Sequence, residues 1–212
     1  MANEQIMADL QTAIETGDFK LVESATEAAV AAKIPVGEII GDGLGKGMEV
    51  IGKRFDAAEI YLPQVIVASK VMETALHILE PLMSAGGGSL KGTVVFGTVK
   101  GDIHEIGKNV CCAMLLGAGY KVVDIGCDAD GMKFMDSAEE NDADVIAGSA
   151  LMTTTLESQR ELVALRDEME NRAKVVVGGA PCSQMFADSI HADGYSATAN
   201  EVIALCDKLA KK

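Results

Sequence analysis

The sequence contains no tryptophan, and aromatic residues make up only 4% of its 212 residues. Small and aliphatic side chains must therefore fill the interior, and the 49% of hydrophobic residues is ample for a core. Basic residues are also scarce, since 18 Lys and Arg stand against 32 Asp and Glu, a formal net charge of −14. Both halves of the chain are acidic, so neither offers the basic surface that nucleic acids or anionic membranes attract.

Other absences narrow the class of protein further. No apolar run is long enough to span a bilayer, and the first residues show no basic segment leading into an apolar one. The five cysteines contain no Cys-x-x-Cys pair, which argues against a zinc site or a disulfide framework. These absences predict a cytoplasmic protein with reduced thiols, with neither nucleic acid nor membrane as a partner.

Helical periodicity dominates residues 1–85, where apolar side chains recur three and four positions apart. Four helices with short connections are predicted, which favours a small bundle. The first helix ends before Gly17, the second and third cover about 19–32 and 36–55, and the fourth begins near Pro63. The glycine-rich stretch Ser84–Ser89 is expected to be a flexible linker and a hinge. We therefore expect a helical domain at 1–88 and a second domain at 89–212.

A different pattern follows the linker, with β-branched runs alternating with amphipathic segments of helical length. Strands are predicted at 93–96, 120–125, 145–148, 174–177 and near Tyr195, and helices at about 106–118, 131–141, 156–171 and 198–210. This alternation predicts an α/β domain with a five-stranded parallel sheet of flavodoxin or Rossmann-like type. Ligands of such sheets bind beyond the carboxyl ends of the strands, so the loops there are the candidate site.

The loop after the first predicted strand carries Asp102 and His104. Alternate residues of an extended segment point the same way, so Asp102 can hold one ring nitrogen of His104 and leave the other for a metal. Gly101 and Gly107 would let the backbone turn sharply and approach something bulky. The alternative is an exposed loop histidine beside an aspartate that caps a helix. With no further ligands nearby in sequence, a metal already held by an organic macrocycle suits this loop best.

Three short motifs lie in order at predicted strand ends: Asp102-x-His104-x-x-Gly107, Ser149-x-Leu151 and Gly178-Gly179. Together they resemble the signature of the corrinoid-binding module of methionine synthase, methyltransferase corrinoid proteins and some mutases. The methyl-carrying branch is most similar, through the longer run GTVKGDIHEIGKN. In the first half, Gly47–Pro81 resembles the helical cap domain that precedes this module in methionine synthase-type proteins.

The resemblance implies a cobalamin or related corrinoid that carries a methyl group on its cobalt, as in methylcobalamin. It implies that His104 is the lower axial ligand of the cobalt, that Asp102 bonds to His104, and that Thr155 completes the relay where relatives often have serine. The nucleotide tail of the cofactor would thread into the sheet domain. The other residues implied at the cofactor in that domain are Gly101, Ile103, Glu105, Gly107, Ser149, Leu151, Thr153, Gly178, Gly179 and Ala199.

Two groups of these residues have a second explanation. Phe55 and Leu62 match cap residues that cover the methyl-bearing face in relatives, but each could equally be ordinary bundle core. For Gly178 and Gly179 we expect that a Cβ atom would obstruct the cofactor tail, the alternative being a tight turn between strand and helix.

The implied function is that of a shuttle that is not catalytic alone. A substrate-specific methyltransferase would load the methyl group from methanol, a methylamine, a betaine or an aromatic methyl ether. A second methyltransferase would pass it to tetrahydrofolate or a thiol, and a reductive activator is a further implied partner. The alternatives are a mutase component, which would lack the cap; a corrinoid-dependent regulator, which needs a DNA-binding domain; and a flavodoxin-like protein without a corrinoid, which leaves Asp102, His104 and the cap unexplained.

Overall fold

The structure, a computed structural model, describes residues 2–84 and 90–210 and divides the chain into two compact units. Residues 113–119 group with the N-terminal unit, which extends to Leu90, and the remaining residues form the second unit. The predicted linker has residues 85–89 outside the described part of the chain. The hinge and the domain bounds 1–88 and 89–212 therefore stay a prediction. Among the described residues, no helix is both long enough and apolar enough to cross a membrane.

The N-terminal unit is helical, as predicted. Its elements are α1 (Ala2–Thr16), α2 (Phe19–Ala31), α3 (Val36–Glu38), α4 (Lys46–Asp56) and α5 (Leu62–Ser84). Ile39–Gly45 is π-helical and joins α3 to α4, so the third predicted helix is one continuous helical stretch. Asp18 is the N-cap of α2, because its side chain accepts hydrogen bonds from two backbone N–H groups of the first turn of that helix. Fully buried Leu10, Ile14 and Leu44 belong to its core.

The second unit contains a five-stranded sheet with all strands parallel, as predicted. Its strands are β1 (Thr93–Thr98), β2 (Lys121–Asp124), β3 (Val145–Ser149), β4 (Lys174–Gly178) and β5 (Gly194–Ser196), in the order β2-β1-β3-β4-β5. The helices of this part of the chain are α6 (Ile106–Gly117), α7 (Gly131–Glu140), α8 (Leu156–Glu168), α9 (Gln184–Ser189) and α10 (Ala199–Leu209), and residues 113–117 of α6 group with the N-terminal unit. The six-residue α9 was not predicted, because so short a segment shows no helical periodicity.

The strand order places the candidate site. The chain leaves β1 for β2 on one side and returns to β3 on the other, so the connections diverge between β1 and β3. Thr98, Ser149 and Gly178 are register partners at the carboxyl ends of β1, β3 and β4. The loops that follow these strands therefore start side by side, at the point where α/β sheets bind their ligands.

Candidate functional site

The loop after β1 is anchored to its surroundings through its backbone. The N–H of Asp128 donates to the carbonyl of Asp102 at 2.9 Å, and Asp128 Oδ1 accepts from the N–H of Gly101 at 2.7 Å. Further along the loop, the buried hydroxyl of Thr98 donates to the carbonyl of His104 at 3.1 Å. Neighbouring segments thus hold the loop on both sides of the predicted metal ligand.

The carboxylate of Asp102 is the polar centre of the site and is fully buried. Its Oδ1 accepts from the backbone N–H of His104 at 3.0 Å and lies 2.7 Å from His104 Nδ1. Its Oδ2 accepts from the N–H of Leu151 at 2.7 Å and from the hydroxyl of Thr155 at 2.8 Å. Burial alone would raise the pKa of Asp102, but these donors outweigh burial and hold the pKa well below its usual range. Asp102 is therefore ionised.

An ionised Asp102 determines the orientation of the His104 ring. Because a carboxylate only accepts hydrogen bonds, His104 Nδ1 must carry the proton that it shares with Asp102. In the neutral ring, the lone pair then lies on Nε2, and 47% of the side chain is exposed. The structure thus brings Asp102, His104 and Thr155 together and leaves one imidazole nitrogen available to a metal.

Three large apolar side chains are exposed close to His104. Two are near it in the sequence, and the third follows the end of the neighbouring strand β3. Ile103 is 72% exposed, Ile106 66% and Leu151 47%. Large aliphatic groups left in water beside a polar centre are typical of a surface that an apolar ligand covers. Ile106 was missed by the sequence analysis, although an isoleucine on the exposed first position of α6 was a visible signal.

The two glycines beside Asp102 and His104 have different backbones. Gly101 is exposed with a φ of +83°, so it makes the sharp turn that was expected. Gly107 lies in the first turn of α6, and the predicted turn there is wrong. A Cβ atom on Gly107 would meet nothing within 4 Å, so packing does not require this glycine and a ligand can approach it. Glu105, just before α6, is exposed.

The remaining predicted cofactor residues lie at the same edge of the sheet. Ser149 ends β3, Thr153 is exposed in a 3-10 turn that spans Thr153–Thr155, and Ala199 begins α10. Gly178 ends β4 and Gly179 follows it. All of them therefore lie at, or after, the carboxyl ends of β3, β4 or β5.

The structure gives the paired glycines a reason that involves no ligand. A Cβ atom on Gly178 would lie 2.9 Å from the carbonyl oxygen of Ser196. Gly179 has a φ of +118°, and its Cβ would lie 1.7 Å from the carbonyl oxygen of Ala150. The backbone itself demands glycine at Gly179, as the alternative of a tight turn implies, and the expectation that a Cβ atom there would obstruct a cofactor tail stays a prediction.

Buried Gln159 supports this strand edge and was missed by the sequence analysis. Its Nε2 donates to the carbonyl of Gly148 at 2.8 Å and to that of Gly178 at 2.9 Å. Its Oε1 accepts from the thiol of Cys182 at 3.1 Å. One carboxamide on α8 thus joins the ends of β3 and β4. The sequence offers no signal for this role, because a single glutamine on a helix is ordinarily exposed.

Phe55 and Leu62 lie in the helical unit, on α4 and at the start of α5, and both are half-buried. Their predicted role as a lid stays a prediction.

The side chains around His104 restrict the kind of metal that this site can hold. Among the described residues, no group of three or more His, Cys, Asp or Glu side chains could hold a metal ion together. His104 Nε2 is instead a single donor beside exposed aliphatic side chains. One axial nitrogen and an apolar surface fit a metal that arrives in a flat macrocycle, as a corrinoid supplies it.

Comparison with known proteins agrees with this geometry. A family described as a B12 binding domain matches residues 92–204, and a second family with the same description matches residues 6–80. A corrinoid protein of Desulfitobacterium hafniense (strain Y51) is 41% identical over 212 residues, covering 98% of both chains. Dimethylamine corrinoid protein 3 of Methanosarcina acetivorans is 43% identical over 192 residues, covering 90% of this chain and 89% of that protein.

A solved structure also matches over nearly the whole chain. One chain of the methanol:cobalamin methyltransferase complex MtaBC from Methanosarcina barkeri has a TM-score of 0.85 and 28% sequence identity. The match covers 99% of this chain and 83% of that chain.

The hydrogen bonds of Asp102 allow a test in the protein without any cofactor. We expect Asp102→Asn to lower the free energy of unfolding by about 2 kcal/mol. Both oxygens of Asp102 accept hydrogen bonds, whereas the NH₂ group of an asparagine side chain can only donate and would face buried donors on one side. Chemical denaturation measures the loss. The matched control is Asp128→Asn, which alters an exposed side chain of the same crevice and is expected to cost clearly less. Equal losses in the two variants would show that the buried acceptor is unimportant.

Proposed function

Because the chain belongs to the family of corrinoid proteins built from B12 binding domains, we propose that it carries a methyl group between two methyltransferases. Its cofactor is a corrinoid. The observation that carries the proposal is the His104 ring, whose Nδ1 is fixed by the buried carboxylate of Asp102 while Nε2 is left available. When bound, the corrinoid supplies a cobalt ion that accepts and gives up a methyl group.

The residues of the crevice have separate tasks in this proposal. His104 Nε2 would hold the cobalt of the corrinoid, and Asp102 keeps the ring in the tautomer that leaves this nitrogen free. The Leu151 N–H and the Thr155 hydroxyl hold the second oxygen of Asp102 in place. Ile103 and Ile106 offer aliphatic surface to a flat ring, with burial worth about 25 cal/mol per Å² of apolar surface.

In this proposal Phe55 and Leu62 would act as an apolar lid that keeps water from the bound corrinoid.

Several observations favour a methyl carrier over the other corrinoid functions. Mutase components share the motif around His104 but lack a helical cap, whereas residues 6–80 match a B12 binding domain of their own. Relatives of the same length are named after dimethylamine, and one of the matching structures is a methanol methyltransferase complex. We favour a methylated amine as the donor, because the dimethylamine relatives share 40–43% identity and the methanol protein 28%. The acceptor methyltransferase and a reductive activator complete the proposed set of partners.

Reconstitution tests this proposal directly. The purified protein is expected to bind about one equivalent of hydroxocobalamin and, after reduction, to be methylated by a dimethylamine-specific methyltransferase in the presence of dimethylamine. The visible spectrum follows both steps. Methanol with a methanol:cobalamin methyltransferase is the matched comparison for the donor. A protein that binds no corrinoid would refute the carrier function, and one that binds it but is methylated with neither donor would exclude both of these donors.

A further inference from the structure

Lys108 is a charged residue in the interior of the sheet unit, with a side chain that is only 1% exposed. It lies in the first turn of α6, where its Nζ forms an ion pair with Asp124 at the end of β2. The same Nζ donates to Asn109 Oδ1 at 2.6 Å. Leaving a buried ammonium unpaired is strongly destabilising, so Lys108 must keep its ion pair with Asp124. The ion pair thereby fixes the first turn of α6 against β2.

The same ion pair leads back to the loop that carries His104. Asp124 Oδ1 accepts from the N–H of Gly126 at 2.8 Å. The carbonyl of Gly126 accepts from the N–H of Thr98 at 2.9 Å, and the Thr98 hydroxyl donates to the carbonyl of His104. A continuous series of hydrogen bonds therefore connects Lys108 to the backbone of the proposed metal ligand.

The same buried charge thus reaches His104 by two routes. The series of hydrogen bonds ends on the His104 carbonyl through Thr98, and α6, which carries Lys108, begins only two residues after His104, at Ile106. We propose that Lys108 is a positioning residue for the axial ligand. Its buried side chain is not offered to a ligand, and it keeps Asp102 and His104 in the arrangement that leaves Nε2 available to a metal.

The competing explanation is that Lys108 merely stabilises α6. The two explanations differ in whether the His104 ring keeps its position and its Nδ1 proton when Lys108 is replaced. In protein without corrinoid, the ¹⁵N resonances of labelled histidine report whether Nδ1 carries the proton shared with Asp102. We expect one His104 species in the parent protein and a second, exchanging species in Lys108→Met. The resonances of His77 and His191 should stay where they are and serve as internal references.

Cobalt ligation provides the second measurement and rests on the proposed function. In the cobalt(II) state, the ratio of histidine-bound to histidine-free protein, read from nitrogen hyperfine splitting, is expected to fall about tenfold in Lys108→Met. The control is Lys121→Met at the start of β2, which removes an exposed lysine paired with Asn141 and should leave the ratio unchanged. If the protein binds no corrinoid at all, the carrier function fails, but the ¹⁵N measurement still tests the positioning role.

Lys108→Met alone leaves the carboxylate of Asp124 without its ion-pair partner. The double variant Lys108→Met, Asp124→Asn removes both charges and is expected to fold. The carboxamide oxygen that replaces the carboxylate at position 124 can still accept from the N–H of Gly126, which isolates the loss of the ion pair. An altered His104 species in the double variant supports positioning. A lower melting temperature with parent-like ¹⁵N resonances and a parent-like ligation ratio overturns it.

Discussion

His104→Gly is expected to abolish nitrogen ligation of cobalt in the reconstituted protein. His104 Nε2 is the nitrogen that Asp102 leaves available, and the described residues contain no group of three or more His, Cys, Asp or Glu side chains that could hold a metal ion without it. In the cobalt(II) state, the nitrogen hyperfine splitting in the EPR spectrum should disappear. Methyl transfer should fall at least about tenfold, the range in which changes around a metal-bound histidine act.

The matched control for this variant is His191→Gly. His191 is exposed and has a φ of +59°, so glycine fits its backbone without strain. The control is expected to keep both the splitting and the transfer rate. Added imidazole should restore the splitting in His104→Gly, because a free ring can occupy the space that the side chain leaves. Nitrogen splitting that survives in His104→Gly without added imidazole would show that another group is the axial ligand.

Gly179→Ala is expected to lower the free energy of unfolding by about 3 kcal/mol or more, which places it among the most damaging single substitutions. Its Cβ would lie 1.7 Å from the carbonyl oxygen of Ala150 and 2.7 Å from the carbonyl carbon, and both atoms are backbone. Ala150 cannot yield easily, because it is fully buried and its N–H donates to the carbonyl of Gly178. Any shift of Ala150 also moves Leu151, whose N–H holds Asp102.

A second glycine separates the steric clash from the cost of the backbone angle. Gly126 has a φ of +81°, but a Cβ atom there would meet nothing within 4 Å. Gly126→Ala should therefore cost only about 1 to 2 kcal/mol, the penalty of a left-handed backbone for an L-residue. Chemical denaturation followed by circular dichroism compares the two variants. Similar losses of stability in the two variants would mean that the Ala150 carbonyl moves aside. Corrinoid binding by the folded Gly179→Ala protein would then test whether a side chain at this position obstructs the cofactor tail.

Secondary structure and fold class could be predicted because they depend on local patterns. Helical spacing in the first half and alternation of strands and helices in the second led to the observed bundle and to the five-stranded parallel sheet. The strand bounds differ by one or two residues, since periodicity does not mark where the ladder of hydrogen bonds ends. The missed helix α9 has six residues, too few for any period to show.

The pairing of Asp102 with His104 could also be proposed from sequence. Two residues separated by one lie on the same side of an extended segment, so their spacing alone brings the side chains together. The structure adds that Oδ1 of Asp102 serves both the ring and the backbone of His104. Periodicity and spacing along a short segment are properties of the chain itself, and for that reason they were visible before the fold.

The tertiary structure alone decided what surrounds this pair. Thr155 reaches Asp102 from 53 positions away because β3 lies beside β1, and only the resemblance to a family had pointed to it. Nothing in the sequence distinguishes Lys108 from an exposed lysine, and only the fold buries its side chain beside Asp124. The need for glycine at Gly179 comes from the carbonyl of Ala150, just past the end of the neighbouring strand. Each of these contacts joins distant parts of the sequence, and the order of strands in the sheet determines which distant parts meet.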